Sequence, residues 1–396
     1  MSGTGSAGEV FAAFLKLGLT SFGGPIAHIG YFRDAFVVRR RWLDETAFAE
    51  LVSLCSFLPG PSSSQVGFAI GWTRAGPLGA LAAWTAFTLP SAALMTIFAF
   101  SAMVLRGAWA GGLVHGLKLV AVAVVAQAVF GMARTLTPDA RRAVIALLAA
   151  GIAAFASAFA GQIVAIAAGA VFGVLLCREQ TDAPAGAPTL HIPRRLGLIA
   201  GTLFVAVLAG APLLTIATGD PALAHFDAFY RSGALVFGGG HVVLPLLQQA
   251  VVAPGWISQD SFLAGYGAAQ AMPGPLFTFA AYLGAALPQP PNGMAGAALA
   301  LAAIFLPGLL ALIAVLPFWN QLRRYVAARA AITGANAAVV GILAAALYDP
   351  IWTSAVHGKA DAFAAATGFV LLTALRTPPI VIVVLGAAFG VVHALV

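Results

Sequence analysis

Two cations stand at matching places in two copies of one unusual segment. Lys16 lies six positions before Phe22-Gly23-Gly24-Pro25, and Arg231 lies six before Phe237-Gly238-Gly239-Gly240. Each copy runs on to a tryptophan (Trp42, Trp256), a phenylalanine (Phe48, Phe262) and a Pro-Gly-Pro (Pro59-Gly60-Pro61, Pro273-Gly274-Pro275). Partners in the two copies are 214 or 215 positions apart. Two prolines flanking a glycine cannot continue a helix smoothly. Proline followed by serines, as in Pro61-Ser62-Ser63-Ser64-Gln65, marks a helix start. A helix that starts inside an apolar segment exposes free N–H groups and the positive end of its dipole. That is a site for an oxyanion, to which Ser62, Ser63, Ser64 and Gln65 add donors. The second copy continues Leu276-Phe277-Thr278-Phe279 and offers fewer. The other reading of the serines is a kink whose hydroxyls bond back to the backbone.

The glycine breaks, Gly23-Gly24-Pro25 and Gly238-Gly239-Gly240, fall in matching places. Unwound backbone at membrane depth is tolerated only when it is buried in protein or lines a cavity, and small residues also serve close helix packing. Lys16 and Arg231 either mark a pathway or snorkel to the interface. Lys118 lies deeper in its run, and its repeat partner is the neutral Asn336. Glu50 is the one acid placed to enter the membrane; it can exchange a proton or pair with the arginines of the preceding loop, and pairing is the expectation. His28 and His241 follow the breaks at non-equivalent offsets and serve either packing or the site. No nucleophile triad, phosphate loop or metal-ligand spacing occurs, so neither an enzyme nor a cofactor or metal is expected.

The elements that must position these residues are membrane helices. The chain has 396 residues, 61% hydrophobic and 8% charged, where a soluble domain carries about 25% charged residues. Long apolar runs with few acids indicate helices rather than a β-barrel. The net charge of +7 resides in short loops, not on one helical face, so no nucleic-acid partner is expected. Cys55 and Cys177 lack ligand spacing, and no removable signal peptide is evident. Apolar runs fall near 10–32 (one span broken at Gly23-Gly24-Pro25), 47–73 (a re-entrant or hairpin element), 77–105, 108–132, 143–159 and 161–177. After a polar stretch they resume near 196–219, 231–251, 263–287, 294–318, 330–347, 362–376 and 378–395. The division is therefore 1–177, an N-terminal membrane repeat; 178–195, a cytoplasmic linker; and 196–396, a C-terminal membrane repeat.

Cytoplasmic loops retain Lys and Arg. Loops at 33–45, 74, 134–142, 178–195, 323–329 and 376 gather nearly all of them, leaving Arg106 and Lys359 opposite. The loop after the first Phe-Gly-Gly carries four arginines, Arg33, Arg39, Arg40 and Arg41; its counterpart at 252–261 carries none and includes Asp260. The fold expected is all-α, a polytopic membrane protein of two inverted-topology repeats with broken or re-entrant helices. The run at 196–219 is the extra span that turns the second copy over.

At these residues the chain resembles the chromate ion transporter family in its long two-domain form. The resemblance rests on Ser21-Phe22-Gly23-Gly24-Pro25 with Ala27-His28, on 58–65, on 233–245 and on 271–284, and covers about 10–348. It implies a multi-pass protein of the bacterial plasma (inner) membrane that exports chromate and confers resistance, with the halves inverted. Sulfate is the related cargo that competes or exchanges; a sulfate transporter or chromate/sulfate exchanger is the alternative. Partners are thus the anion and the lipid bilayer, and a homo-oligomer is compatible with the sequence. The anion is expected between the helix breaks, among Ser21, Gly23, Gly24, Pro25, His28, Pro59, Gly60, Pro61, Ser62, Ser63, Ser64 and Gln65 of the first copy and Gly238, Gly239, Gly240, His241, Pro273, Gly274 and Pro275 of the second. Lys16, Arg231, Lys118 and Asn336 complete the candidate set, with Glu50 for coupling.

Overall fold

The computed structural model describes residues 5–104, 107–156, 159–178, 190, 192–237, 239–322 and 324–395. Gly238 and most of the linker at 178–195 lie outside the described residues. The fold is helical. The first half comprises α1 (Ala7–Thr20), α2 (Gly24–Phe32, prolonged by a wider turn Arg33–Arg39), α3 (Glu45–Phe57), α4 (Ser62–Val104), α5 (Ala108–Leu136), α6 (Ala140–Phe155) and α7 (Phe159–Leu176). α8 (Arg194–Thr218) has no counterpart. The second half repeats the series: α9 (Pro221–Ala234), then Gly240–Val242 leading into α10 (Val243–Leu247) and Gln248–Val252, α11 (Gln259–Ala269), then Leu276–Thr278 leading into α12 (Phe279–Ala286) and α13 (Gly293–Val315) with a last turn α14 (Trp319–Leu322). α15 (Val326–Ala346) with the turn α16 (Thr353–Ala355), α17 (Lys359–Thr373) and α18 (Pro379–Leu395) complete it.

The caps repeat too. Ser6 accepts from the Glu9 amide at the start of α1, and Asp220 from the Ala222 amide at the start of α9. Asp44 caps α3 through the Ala47 amide, and Ser258 caps α11 through that of Ser261. Each side-chain oxygen meets an amide that the helix cannot.

α4 is bent at Ala75-Gly76 into arms 62–74 and 77–104. The arms lie so close that a Cβ on Gly71 would run into the Gly79 carbonyl. Arg74, at the bend, pairs with Glu9 at 3.1 Å and lies over the Trp42 ring at 5.2 Å. The start of α1, the loop after α2 and the bend of α4 are therefore neighbours. Phe14 of α1 stacks on Phe36 beyond α2 at 4.7 Å. So α1 and α2 form a hairpin, as do α3 and the first arm of α4. This corrects the expectation of one broken span over 10–32. α1 has 14 residues, about 21 Å of helix, too short for a hydrocarbon core of about 30 Å. The second half matches: His225 of α9 meets Trp256 at 4.8 Å between ring centres, and Gly284 of α12 is pressed against Gly296 of α13.

Among the described residues five helical stretches, Ser62–Ala102, Ala108–Leu136, Arg194–Thr218, Gly293–Leu322 and Val326–Ala355, are long and apolar enough to cross a membrane. They bind the halves together reciprocally. α5 packs on α18 with Gly112 and Gly116 against Gly390 and Gly386, and α15 packs on α7 with Gly334 against Gly169 and Gly173. Close approach through small residues is how helices pack in lipid. α8 stays peripheral, with Leu198, Ile199, Val205 and Ile216 exposed.

Candidate functional site

The two tips of each half meet the tips of the other. The Gly60 amide donates to the Val236 carbonyl at 2.8 Å, and the Gly274 amide donates to the Ser21 carbonyl at 2.8 Å. Pro25 packs on Gly240, where a Cβ would stand 3.3 Å from its Cγ. The tips are held against the mid-length of the crossing helices. Gly60 faces Gly308 of α13, and Gly274 faces Phe87 and Ser91 of α4. Ser91 shares a 2.6 Å hydrogen bond with Thr278.

Beside this junction is a cavity of about 400 Å³. Three helix starts border it: Gly23 and Gly24 at α2, His241 in the turn before α10, and Leu276 in the turn before α12. Gly274 and Gln270 line it from the second tip, Val124 and Gln127 from α5, and Arg376 and Thr377 from the loop between α17 and α18. His241 is held by a 2.7 Å hydrogen bond between its Nδ1 and the Tyr266 hydroxyl. Among the described residues no carboxylate lines it. The wall thus combines amide-rich helix starts, two carboxamides, one imidazole and one guanidinium, a set that suits an anion.

The candidates from the sequence divide. Gly23, Gly24, His241 and Gly274 line the cavity, with Pro25, Gly239 and Gly240 alongside and Pro273 and Pro275 in the same tip. Ser21 is buried; its carbonyl serves Gly274 while its hydroxyl has no partner among the described residues. Pro59, Gly60, Pro61, Ser62, Ser63, Ser64 and Gln65 are not on the wall. The Gln65 amide donates to the Pro59 carbonyl at 2.9 Å and to the Gly308 carbonyl at 2.8 Å, tying the first tip to α13. His28 Nδ1 stands 3.4 Å from Ser63 Oγ, and its ring meets Phe87 edge-on at 5.2 Å. Lys16 is exposed on α1, away from the cavity. Lys118 is buried and pairs with Asp260 at 2.7 Å. Arg231 pairs with Asp227 one turn back on α9. Asn336, on α15, is half-buried and off the wall. Glu50 is buried, and its Oε2 has no hydrogen-bond partner among the described residues. Of the loop arginines expected to meet it, Arg33 pairs with Glu45, Arg39 pairs with Asp34 and Arg40 lies over the Trp42 ring.

Gln127, Gln270, Tyr266, Arg376 and Thr377 escaped the sequence reading. Arg376 was visible only as a loop charge. The i, i+4 spacing of Asp227 and Arg231 was the one signal that could have revealed the partner of Arg231.

The chromate transporter family matches the sequence twice, over residues 8–174 and 223–391. The Chromate transport protein of Pseudomonas aeruginosa is 28% identical over 349 residues, covering 86% of this chain and 80% of that one. The Chromate transport protein of Cupriavidus metallidurans is 25% identical over 339 residues, 84% of this chain and 80% of its own. An uncharacterized transporter of Methanocaldococcus jannaschii is 26% identical over 325 residues, 80% and 78% of the two chains. No solved structure matches the chain.

Proposed function

This chain belongs to the chromate transporter family, and from that premise we propose that it exports chromate from the cytoplasm, conferring resistance, through the cavity between the hairpin tips. The family is one of transporters, and the protein is a multi-pass membrane protein rather than an enzyme. The observation that carries the site is the cavity bordered by three helix starts, with Arg376 and, among the described residues, no carboxylate on its wall. A tetrahedral dianion accepts hydrogen bonds from every side, and N–H groups at helix starts offer them without a mobile countercharge. Lys16, Arg231, Ser62, Ser63, Ser64 and Gln65 remain candidates for a state in which the other faces of the tips are uncovered.

The reading puts the protein in the bacterial plasma (inner) membrane, with residues 1–177 and 196–396 as repeats of opposite topology joined by the linker 178–195. Support comes from the odd number of crossings between the two hairpin pairs: the second arm of α4, α5 and α8 are long and apolar enough to cross, and the shorter α6 and α7, packed on each other, add two or none. An odd number of crossings puts the second pair on the opposite face, in keeping with the arginine distribution. Direction has an electrical basis. One charge crossing 100 mV is worth about 2.3 kcal/mol, so a dianion leaving an inside-negative cell gains about 4.6 kcal/mol. Export therefore needs no coupled ion.

The test is radiolabelled chromate and sulfate flux in proteoliposomes, with and without an imposed potential. Chromate moving toward the positive side, faster with potential, is expected. No chromate flux at any potential refutes the assignment; sulfate accumulation that requires a co-transported cation would establish the alternative.

A further inference from the structure

α5 and α11 close against each other on one side of the cavity, and the equivalent helices of the other half do not. The contact is tight: a Cβ on Gly267 would run into the Leu117 carbonyl. Around it Leu117, Val120 and Val124 of α5 pack on Ala264 and Ala268 of α11, all buried. One end of this apolar seam is the cavity, lined by Val124 from α5 and by Ala269, the last residue of α11. The other end is the Lys118–Asp260 salt bridge. Lys118 is about 9 Å along α5 from Val124, and Asp260 is about 13 Å along α11 from Ala269. The Lys118 side chain is 7% exposed, whereas that of Asp260 is 64% exposed. The lysine stem thus completes the seam while the carboxylate stays in water, a tie that can be broken and remade.

We infer that Lys118 and Asp260 form the latch of an outer gate, which seals the cavity from the side opposite Arg376; this rests on the transport reading above. In the other half α15 and α3 occupy the equivalent places and lack comparable packing among the described residues. Asn336 stands where Lys118 does, and Thr46 stands where Asp260 does. Among the described residues the α5–α11 closure has an ion pair and its counterpart, with Asn336 and Thr46, has none. The resting protein is therefore biased toward the state open on the arginine-rich side, where an exporter collects its cargo. Opening the outer side requires the α5–α11 seam to part and the latch to break.

The test uses the full chain in vesicles with Cys55 and Cys177 replaced by alanine and Ala264, buried in the seam, replaced by cysteine. Labelling by a membrane-impermeant maleimide added outside is timed. Protection is expected in the parent and in Asp260→Glu, with labelling at least tenfold faster in Asp260→Asn and Lys118→Gln. Equal rates in all four proteins overturn the latch, as does Asp260→Glu labelling as fast as Asp260→Asn. Chromate flux on the same vesicles separates the two readings. A labelling response without flux in the parent keeps the latch and removes the cargo assignment; normal flux with no labelling response removes the latch alone.

Discussion

The Gly274 amide reaches the Ser21 carbonyl at 2.8 Å, and its repeat partner, the Gly60 amide, reaches the Val236 carbonyl at the same 2.8 Å. Each half thus satisfies a backbone group that the other half leaves open at a helix break. An unmet carbonyl or amide at this depth would cost several kcal/mol. The bonds fix the tips in pairs, so the cavity beside them is a property of both halves together.

These two glycines should be nearly irreplaceable. Gly60 has φ +110° and Gly274 has φ +92°, values that side-chain-bearing residues rarely adopt. A Cβ on Gly60 would lie 2.8 Å from Gly308 Cα, and one on Gly274 would lie 3.1 Å from the Phe87 carbonyl. Gly60→Ala and Gly274→Ala should each lose about 1–3 kcal/mol from backbone strain, with steric cost added. Gly151 is a helical control, where a Cβ meets nothing within 4 Å; alanine there should gain up to about 1 kcal/mol. Thermal unfolding in detergent should order the three, with Gly151→Ala at or above the parent. A Gly60→Ala protein with parental stability would show that the tip is not held as described.

Gln65 is assigned by its contacts to holding the tip rather than touching cargo in this state. Gln65→Leu takes the side-chain donor from the Pro59 carbonyl and the second donor from the Gly308 carbonyl inside α13, and a buried unsatisfied acceptor costs about 1–3 kcal/mol. The expected outcome is a lowered unfolding temperature together with lost flux. Parental stability with flux abolished would instead make Gln65 a ligand.

Much of this arrangement was legible in the sequence because Gly and Pro act locally. Gly23-Gly24-Pro25 and Pro59-Gly60-Pro61 cannot lie inside regular helices, whatever surrounds them, and their recurrence revealed the duplication. Whether an arm turns back was less legible. The hairpin of α1 and α2 depends on Arg74 meeting Glu9 and Trp42, contacts 65 and 32 positions apart along the chain. Which tip faces the cavity was not legible at all, since helices apolar all round carry no stripe to orient them. Lys118 looked like a buried charge in search of an anion because Asp260, its partner, is 142 positions away.

Inverted topology predicts opposite labelling of two exposed positions. Val38 and Ala253 are both exposed, and each can carry a single cysteine once Cys55 and Cys177 are replaced by alanine. In intact cells an impermeant maleimide should modify Ala253→Cys and spare Val38→Cys until the membrane is opened. Modification of both from the same side would make the repeats parallel and remove the structural basis of alternating access.

Arg376 tests whether the cavity collects anions by charge. Among the described residues it is the one guanidinium on the wall; it is exposed and adopts φ +53°. That conformation suits glycine, so Arg376→Gly removes the charge while relieving the backbone, and Arg376→Ala removes the charge but keeps the strain. If charge is what matters, both variants should raise the half-saturating chromate concentration about two- to fivefold, the effect of about 0.5–1 kcal/mol from an exposed cation. Arg376→Lys should stay near the parent, because a point charge at the mouth is enough to attract a dianion. The difference from parent should shrink as ionic strength rises, since exposed charges are screened within about 8 Å at physiological salt. Flux measured from the arginine-rich side at two salt concentrations reads all of this. An Arg376→Gly protein with unchanged half-saturation at low salt would mean that the dianion reaches the helix starts by another route.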